Sequence, residues 1–126
     1  MTADATLELN GKRKIKSAGL LKNRAVMLVL SDNLLGESYL LRKKITVVGR
    51  GSDCDMIIKD PLVSKKHCRI SSDEESIFFI EDLGSKNSTY LNGRAVTEPV
   101  HISYGDRIII GNTIMRFFLA ENFESR

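Results

Sequence analysis

Residues 84–93 read Gly-Ser-Lys-Asn-Ser-Thr-Tyr-Leu-Asn-Gly. The pair Asn92-Gly93 predicts a tight hairpin, because both central residues of a type I′ turn need positive φ, which asparagine and glycine tolerate. Short runs at 89–91 and 95–96 flank this turn, and their branched and aromatic residues favour strands. The stretch 84–88 holds more polar side chains than a turn requires, so we predict a functional loop there.

Further short runs of branched and aromatic residues alternate with turn clusters on both sides of this hairpin. A second tight turn is predicted at Gly111-Asn112, and no span after Val26 shows sustained helical periodicity. Many short strands at this spacing indicate an all-β antiparallel sandwich or barrel. The additional predicted strands are 26–30, 38–41, 45–48, 56–58, 67–70, 77–80, 107–110 and 114–119.

The chain has 126 residues, which suits one domain. We predict a polar, basic tail or tether over residues 1–24, the β domain over 25–120 and a C-terminal tail over 121–126. The sequence contains neither a long apolar stretch nor a secretory signal, so a cytoplasmic location is expected. Cys54 and Cys68 do not form a C-x-x-C pair, and we predict two buried, reduced thiols.

The positive charge is concentrated in the first 25 residues, where six basic side chains stand against two acidic ones. The chain as a whole has a net charge of +3, which leaves −1 for the remainder. A near-neutral body lacks the basic face that is typical of proteins binding nucleic-acid backbones. Nucleic acid is therefore not the expected partner of the β domain.

Three loops carry polar residues beyond those a turn requires: 49–52, 63–67 and 84–89. Their guanidinium, hydroxyl, ammonium and amide donors suit a phosphate group, which brings about −1.5 to −2 charges and three strong acceptor oxygens. Arg50 can meet two of those oxygens with its planar fork, and Ser64 can donate its hydroxyl. Lys65, Lys66 and Lys86 add positive charge. Loops at one end of a sandwich can converge on one ligand.

An ordered set of short motifs extends over residues 26–119. It consists of Gly49-Arg50, Asp55-x-Ile57, Ser64-x-x-His67, Asp82-Leu83-Gly84-Ser85, Asn87-x-Thr89, Asn92-Gly93 and Gly105-Asp106-Arg107-Ile108. This set resembles the forkhead-associated (FHA) family. The resemblance implies a sandwich of two antiparallel sheets, of FHA/SMAD-like type, whose apical loops bind phosphothreonine peptides. It implies an adaptor that acts downstream of a Ser/Thr kinase, without catalysis, cofactor or metal.

The resemblance also implies a role for each loop residue in binding the phosphopeptide. Arg50 and Ser64 would contact the phosphate directly, and Lys65 would contact the phosphate or the peptide backbone. Lys86 would reach the phosphate or the residues that follow it. Asn87 would hydrogen-bond the peptide backbone and hold it extended.

Other residues are expected to support these loops. His67 would brace them from behind, and the Asn92-Gly93 turn would be a supporting turn. Ser88 stands where the family often has glycine, and we expect it to alter the loop backbone or to add a hydroxyl. The full supporting set is Gly49, His67, Ser85, Thr89, Asn92 and Gly93.

Alternatives from other functional classes remain open. The same fold could be a phosphate-independent scaffold or oligomerisation domain, in which case apolar residues should be exposed on one sheet. Nucleic-acid binding through the tail would show a steep salt dependence. Phosphorylation of Thr2 or Thr6 could let the tail bind its own domain. An enzyme is the least favoured reading, because no nucleotide-binding, metal or catalytic pattern is complete.

Overall fold

The computed structural model describes residues 25–119, which form short strands and one 3₁₀ helix at Asp32–Leu34. No helix within these residues is long and apolar enough to cross a membrane. The predicted tails 1–24 and 121–126, and with them Thr2 and Thr6, lie outside the described residues, as does Ala120 at the predicted end of the β domain. The strands, numbered in chain order, are β1 (Ala25–Val29), β2 (Ser38–Leu41), β3 (Ile45–Gly49), β4 (Met56–Ile57), β5 (Cys68–Ser72), β6 (Phe78–Asp82), β7 (Thr89–Leu91), β8 (Arg94–Ala95), β9 (Val100–Ile102), β10 (Arg107–Ile110) and β11 (Thr113–Leu119).

The strands form two sheets that face each other across the core. The five-stranded sheet has the order β9-β6-β5-β3-β4, and the six-stranded sheet has the order β2-β1-β11-β10-β7-β8. The pairings in the six-stranded sheet are all antiparallel. This arrangement confirms the predicted all-β fold with two packed sheets.

One pairing in the five-stranded sheet is parallel. Strand β4 lies beside β3, with Met56 opposite Val48 and Ile57 opposite Gly49. Parallel neighbours usually need a crossover of a dozen or more residues, but here the loop 50–55 suffices because β4 is only two residues long. The Ile58 N–H donates to the Gly49 carbonyl at 2.8 Å and closes this short ladder.

Side chains alternate between core and exterior along the strands, which is why the sequence runs form strands. In β1, Ala25, Met27 and Val29 are fully buried, whereas the intervening residues are half-buried on the outside. The two sheets meet at Phe78 of β6 and Phe117 of β11, whose ring centroids are 5.3 Å apart. Each such buried apolar side chain contributes about 1.5–3 kcal/mol.

Most predicted strands are confirmed. Those at 38–41, 89–91 and 107–110 have the predicted bounds, and the others differ by one or two residues at their ends. Strand β9 was not predicted, since three residues after Pro99 are too few to show an alternation. Its place at the sheet edge comes from pairing with β6, where Val100 lies opposite Ile80. Both cysteines are buried free thiols, as predicted.

A tyrosine connects the edges of the two sheets on one flank. Tyr39 of β2 has its phenolic oxygen 2.6 Å from Oε1 of Glu37 and 3.2 Å from the Ile57 carbonyl of β4. Burial, followed by the hydrogen bond to Glu37, raises the pKa of Tyr39 to about 12. The phenol therefore stays a hydrogen-bond donor at neutral pH.

A buried carboxylate fixes the loop that follows β4. Asp60 is 1% exposed; its Oδ1 accepts from the Leu62 N–H at 2.9 Å. Its Oδ2 accepts from the Asn112 N–H at 2.7 Å and from the Thr113 hydroxyl at 2.8 Å. Burial alone would raise the pKa of Asp60, but these donors outweigh it and the pKa is lowered. The charged carboxylate thus ties the loop leading to Ser64 to the β10–β11 hairpin.

We expect Asp60→Ala to lower the free energy of unfolding by about 3 kcal/mol, because it leaves buried donors without their charged acceptor. Urea denaturation at neutral pH measures the loss. The matched control is Asp73→Ala. The Asp73 carboxylate accepts two backbone N–H groups in an exposed turn, and its loss should cost less than about 1 kcal/mol. Equal losses in the two variants would contradict the role given to Asp60.

Candidate functional site

The first and second loops are joined by their backbones. The Arg50 N–H donates to the Ser64 carbonyl at 2.9 Å, and the Gly51 N–H donates to the Lys65 carbonyl at 3.1 Å. A Cβ at Gly49 would lie 2.2 Å from the Lys65 carbonyl oxygen, so only glycine allows this approach. The Cys54 thiol also lies against that oxygen, at 2.9 Å.

The Arg50 side chain is exposed and is held by one of its nitrogens. Its Nε–H donates to the Val63 carbonyl at 2.9 Å. Neither Nη group donates to an acceptor within residues 25–119, so both remain available to a ligand. A guanidinium fixed at Nε is pre-oriented, which reduces the rotamer entropy lost when it binds an anion.

Ser64 connects the second loop to the third. Its hydroxyl oxygen accepts from the Lys86 N–H at 3.0 Å, which leaves the hydroxyl proton for another acceptor. Its own N–H donates to Nδ1 of His67 at 3.0 Å. The serine is half-buried, with both its backbone and its side chain held in place.

His67 is fully buried between these loops. Its Nδ1 accepts from the Ser64 N–H, so the ring proton must be on Nε2, which lies 2.8 Å from the Ser88 carbonyl. The neutral Nε2–H tautomer satisfies both contacts. Because both ring nitrogens have backbone partners, the imidazole acts as a brace between the second and third loops.

Asn87 and three lysines complete the surface of the site. The Asn87 side-chain amide donates to the Leu62 carbonyl at 2.9 Å. Lys65 and Lys86 are exposed. Lys66 is 3.7 Å from the Asp53 carboxylate in an exposed ion pair, which contributes little to stability.

The third loop is held at its base by Asp82. Its Oδ2 accepts from the N–H groups of Gly84 and Ser85 at 3.0 and 2.9 Å. Its Oδ1 accepts from the hydroxyls of Ser85 and Thr89 at 2.6 and 2.7 Å. Burial by itself would raise the pKa of Asp82, but these four hydrogen bonds lower it further than burial raises it.

Ser88 adopts a backbone conformation that suits glycine. Its φ is +69°, in the left-handed region that costs a side-chain-bearing residue about 1–2 kcal/mol. Its carbonyl is the acceptor for His67. Serine at this position, where the family often has glycine, therefore keeps the backbone path that the His67 contact needs but adds local strain.

The Asn92-Gly93 turn is formed as predicted, with φ values of +50° and +88°. It lies at the far end of β7 from the three loops. Within the described residues, the Asn92 side chain contacts Asp106 and Arg107 instead. Strand β7 separates the turn from the site by three residues, about 10 Å. The pair therefore shapes the β7–β8 hairpin and does not brace the three loops directly.

The hydrogen bonds above bring Arg50, Ser64, Lys86 and Asn87 to one end of the sandwich, around the backbone of residues 62–64. Sequence reasoning missed Asp60 as an anchor and named Asp82 only as part of a motif. Asp60 precedes Pro61 and Asp82 precedes Leu83-Gly84, positions where aspartate commonly caps turns. No group of three or more metal-binding side chains is found in residues 25–119.

We expect Ser88→Gly to raise the free energy of unfolding by about 0.5–1 kcal/mol, since relief of the left-handed strain exceeds the added entropy of the unfolded chain. Thermal or urea unfolding measures the gain. Ser85→Gly is the control; it should destabilise, because it removes a hydroxyl bonded to Asp82. A loss of stability in Ser88→Gly would show that the strain is not relieved.

The stability that the Asp82 carboxylate provides should depend on pH. The pKa of Asp82 is lower in the folded chain than in the unfolded chain, where it is about 3.9. The charged carboxylate therefore stabilises the fold fully above that unfolded-state pKa. This stabilisation is lost as the pH falls through the lower, folded-state pKa. We expect Asp82→Asn to be less stable than the parent by about 2 kcal/mol at pH 7. Urea unfolding across acidic pH should show this gap shrinking below about pH 4. A gap independent of pH would count against the charged state of Asp82.

Comparisons with known proteins point to one family. The family model of the FHA domain matches residues 46–111 of this chain. The chain is 34% identical over 99 residues to human proliferation marker protein Ki-67, covering 79% of this chain and 3% of Ki-67. It is 34% identical over 89 residues to the FHA domain-containing protein FhaB of Mycolicibacterium smegmatis, covering 71% of this chain and 57% of FhaB. The chain thus spans less than two thirds of each of these curated relatives.

Solved structures agree with this result. The FHA domain of CT664 from Chlamydia trachomatis superposes with a TM-score of 0.71 at 27% identity, covering 75% of this chain and 96% of that one. A structure from a study of phosphothreonine-dependent FHA domain interactions gives 0.68 at 27% identity, with 75% and 95% covered. The residues that match the family model, 46–111, include all three loops and strands of both sheets, and we conclude that this chain belongs to the FHA domain family.

Proposed function

We propose that this chain binds phosphothreonine-containing segments of partner proteins through the 49–52, 63–67 and 84–89 loops. One observation carries the proposal. Arg50 and Asn87 donate to consecutive carbonyls, those of Val63 and Leu62, and the hydroxyl of the next residue accepts from Lys86. A guanidinium, a hydroxyl and an amide are therefore held beside one short backbone stretch.

The donors of this site match the chemistry of a phosphorylated side chain. The two Nη groups of Arg50, which donate to no acceptor within residues 25–119, can bind two phosphate oxygens, and the Ser64 hydroxyl can donate to a third. Lys65 and Lys86 are exposed cations that complement a charge of about −2. An unphosphorylated threonine offers none of the three charged oxygens, which explains why we expect the modified form to be selected.

The expected binding free energies are consistent with phosphopeptide recognition. A hydrogen bond to a charged group contributes about 1.5–3 kcal/mol, and micromolar affinity corresponds to about 8 kcal/mol. Two or three such bonds supply a large part of that free energy. Asn87 can add contacts to the peptide backbone, because its amide group is exposed and its present acceptor is a surface carbonyl.

The relatives support the same class of ligand. The solved FHA structure at 27% identity comes from work on phosphothreonine-dependent interactions. By extension we propose a protein partner phosphorylated by a Ser/Thr kinase and a cytoplasmic setting. The role we propose is recognition without catalysis, with Lys86 and Ser88 setting the preference for residues beside the phosphothreonine.

The decisive experiment titrates the chain with a degenerate phosphothreonine peptide library and with its unphosphorylated twin. We expect Arg50→Ala to weaken phosphopeptide binding by about 100-fold, the loss of about 3 kcal/mol of charged hydrogen bonds. Fluorescence anisotropy measures the affinity, and circular dichroism checks that the variant is folded.

The matched control is Arg42→Ala, which removes an exposed arginine from the turn after β2 and should leave affinity unchanged. Equal binding of the two libraries by the parent chain would refute phosphate recognition. Full phosphopeptide affinity in a folded Arg50→Ala would refute the role of the guanidinium.

A further inference from the structure

The side of the six-stranded sheet that faces away from the core is largely apolar. We call it the outer face. One row of side chains crosses β2, β1 and β11, where Leu40, Val26 and Phe118 lie opposite one another. The Tyr104 ring packs edge-on against Phe118, with centroids 5.4 Å apart. Leu40, Val26 and Phe118 are half-buried.

A second apolar row lies nearer the phosphate-site loops. It runs from Leu30, beside the end of β1, through Ile114 and Ile109 to Tyr90 of β7. Leu30 is 40% exposed and Tyr90 is 38% exposed. Isolated apolar residues on a surface are ordinary, but here two rows are aligned on one sheet face and Leu28 joins them on β1.

Two arginines lie between these rows. Arg116 of β11 and Arg107 of β10 are directly opposite each other on adjacent strands, and both are exposed. Leu28 lies on the other side of Arg116 in the same row. Neither guanidinium forms an ion pair with a carboxylate of residues 25–119. Like charges directly opposite in a sheet destabilise it, so this pair has a cost in the free chain.

The size of the outer face indicates what can cover it. Five strands about 4.8 Å apart and alternate residues along each give a patch about 20 Å by 15 Å, or roughly 300 Å². A stable interface between globular proteins buries about 800 Å² on each partner. The outer face therefore suits a single helix or strand, since a helix is about 10–12 Å wide.

The charge indicates the chemistry of that segment. Covering the apolar rows removes water from the arginines between them, and a buried charge without a partner is strongly unfavourable. A carboxylate placed between apolar side chains satisfies both parts of the surface, because it can pair with a guanidinium through two hydrogen bonds. A second copy docking face to face would bring arginine pairs together, so self-association through this face is disfavoured.

We propose that the outer face is a second, phosphate-independent docking surface for a short amphipathic segment of a partner protein, whose apolar side chains flank one or two carboxylates. Arg107 and Arg116 select the carboxylates, and the two apolar rows supply contact area. The surface does not depend on the phosphate site, since none of its residues belongs to the three loops.

The test uses pools of amphipathic peptides about 16 residues long, or about 24 Å as a helix. The pools share their apolar positions and differ only in having Glu, Gln or Lys at the polar positions between them. The full chain is titrated with each pool by fluorescence anisotropy, and amide chemical shifts map the contact. We expect the Glu pool to bind about tenfold or more tightly than the Lys pool, with shifts on β1, β10 and β11.

Charge reversal separates recognition from folding. We expect R107E/R116E to reverse the preference toward the Lys pool. The single variant Arg107→Glu should raise the melting temperature, since it places opposite charges across the strands, while it weakens binding of the Glu pool. Lys59→Glu, which reverses an exposed cation in the loop after β4 of the other sheet, should change neither property. Arg50→Ala should abolish binding of phosphopeptides and leave binding of the Glu pool unchanged, which distinguishes the two sites.

Several results would overturn the proposal. Equal binding of the three pools, or none, would exclude selection by the arginines, as would shifts confined to the phosphate-site loops. A dimer in sedimentation velocity that R107E/R116E dissolves would assign the face to a second copy. Binding that appears only after E121Q/E124Q would assign it to the C-terminal residues of this chain.

Discussion

The imidazole of His67 holds together the second and third loops of the candidate site. One ring nitrogen accepts from the Ser64 N–H and the other donates to the Ser88 carbonyl. Both partners are backbone groups, so the spacing of the loops is fixed whatever side chains they carry. The Ser64 hydroxyl and the Asn87 amide depend on that spacing, because they extend from the two segments that the ring joins. The relative position of these two donors thus depends on one buried histidine whose two ring nitrogens both have backbone partners.

The sheets that carry these loops were largely predictable from the sequence. Alternation of buried and outward side chains in β1 and β11 is a local property, and so is the positive φ required at Asn92-Gly93. Strand β9 was not predictable, since it is too short to show an alternation, and its existence depends on a strand that is distant in sequence, as when Val100 pairs with Ile80. Strands β3 and β4 were predicted, but their parallel pairing was not, because the pattern of one strand does not specify its neighbour.

The candidate site likewise has parts that could be predicted from the sequence and parts that could not. Sequence motifs identified donors such as Arg50 and Asn87, because their side chains are distinctive. The acceptors that orient those donors are the carbonyls of Leu62 and Val63, and a carbonyl is the same in every residue. The anchoring role of Asp60 likewise appears only when the β10–β11 hairpin is folded against it. The position of the Asn92-Gly93 turn at the far end of β7 required the strand pairing as well.

The edge strands have a consequence for behaviour at high concentration. Each sheet ends on one side in a strand of only two residues, β4 in one sheet and β8 in the other. An exposed edge strand is a template on which another chain can add a ladder of hydrogen bonds. A two-residue edge offers very little of such a ladder, and at β4 the Tyr39 phenol already lies against the Ile57 carbonyl. The fold therefore resists polymerisation along these edges, leaving its loops and sheet faces for specific partners.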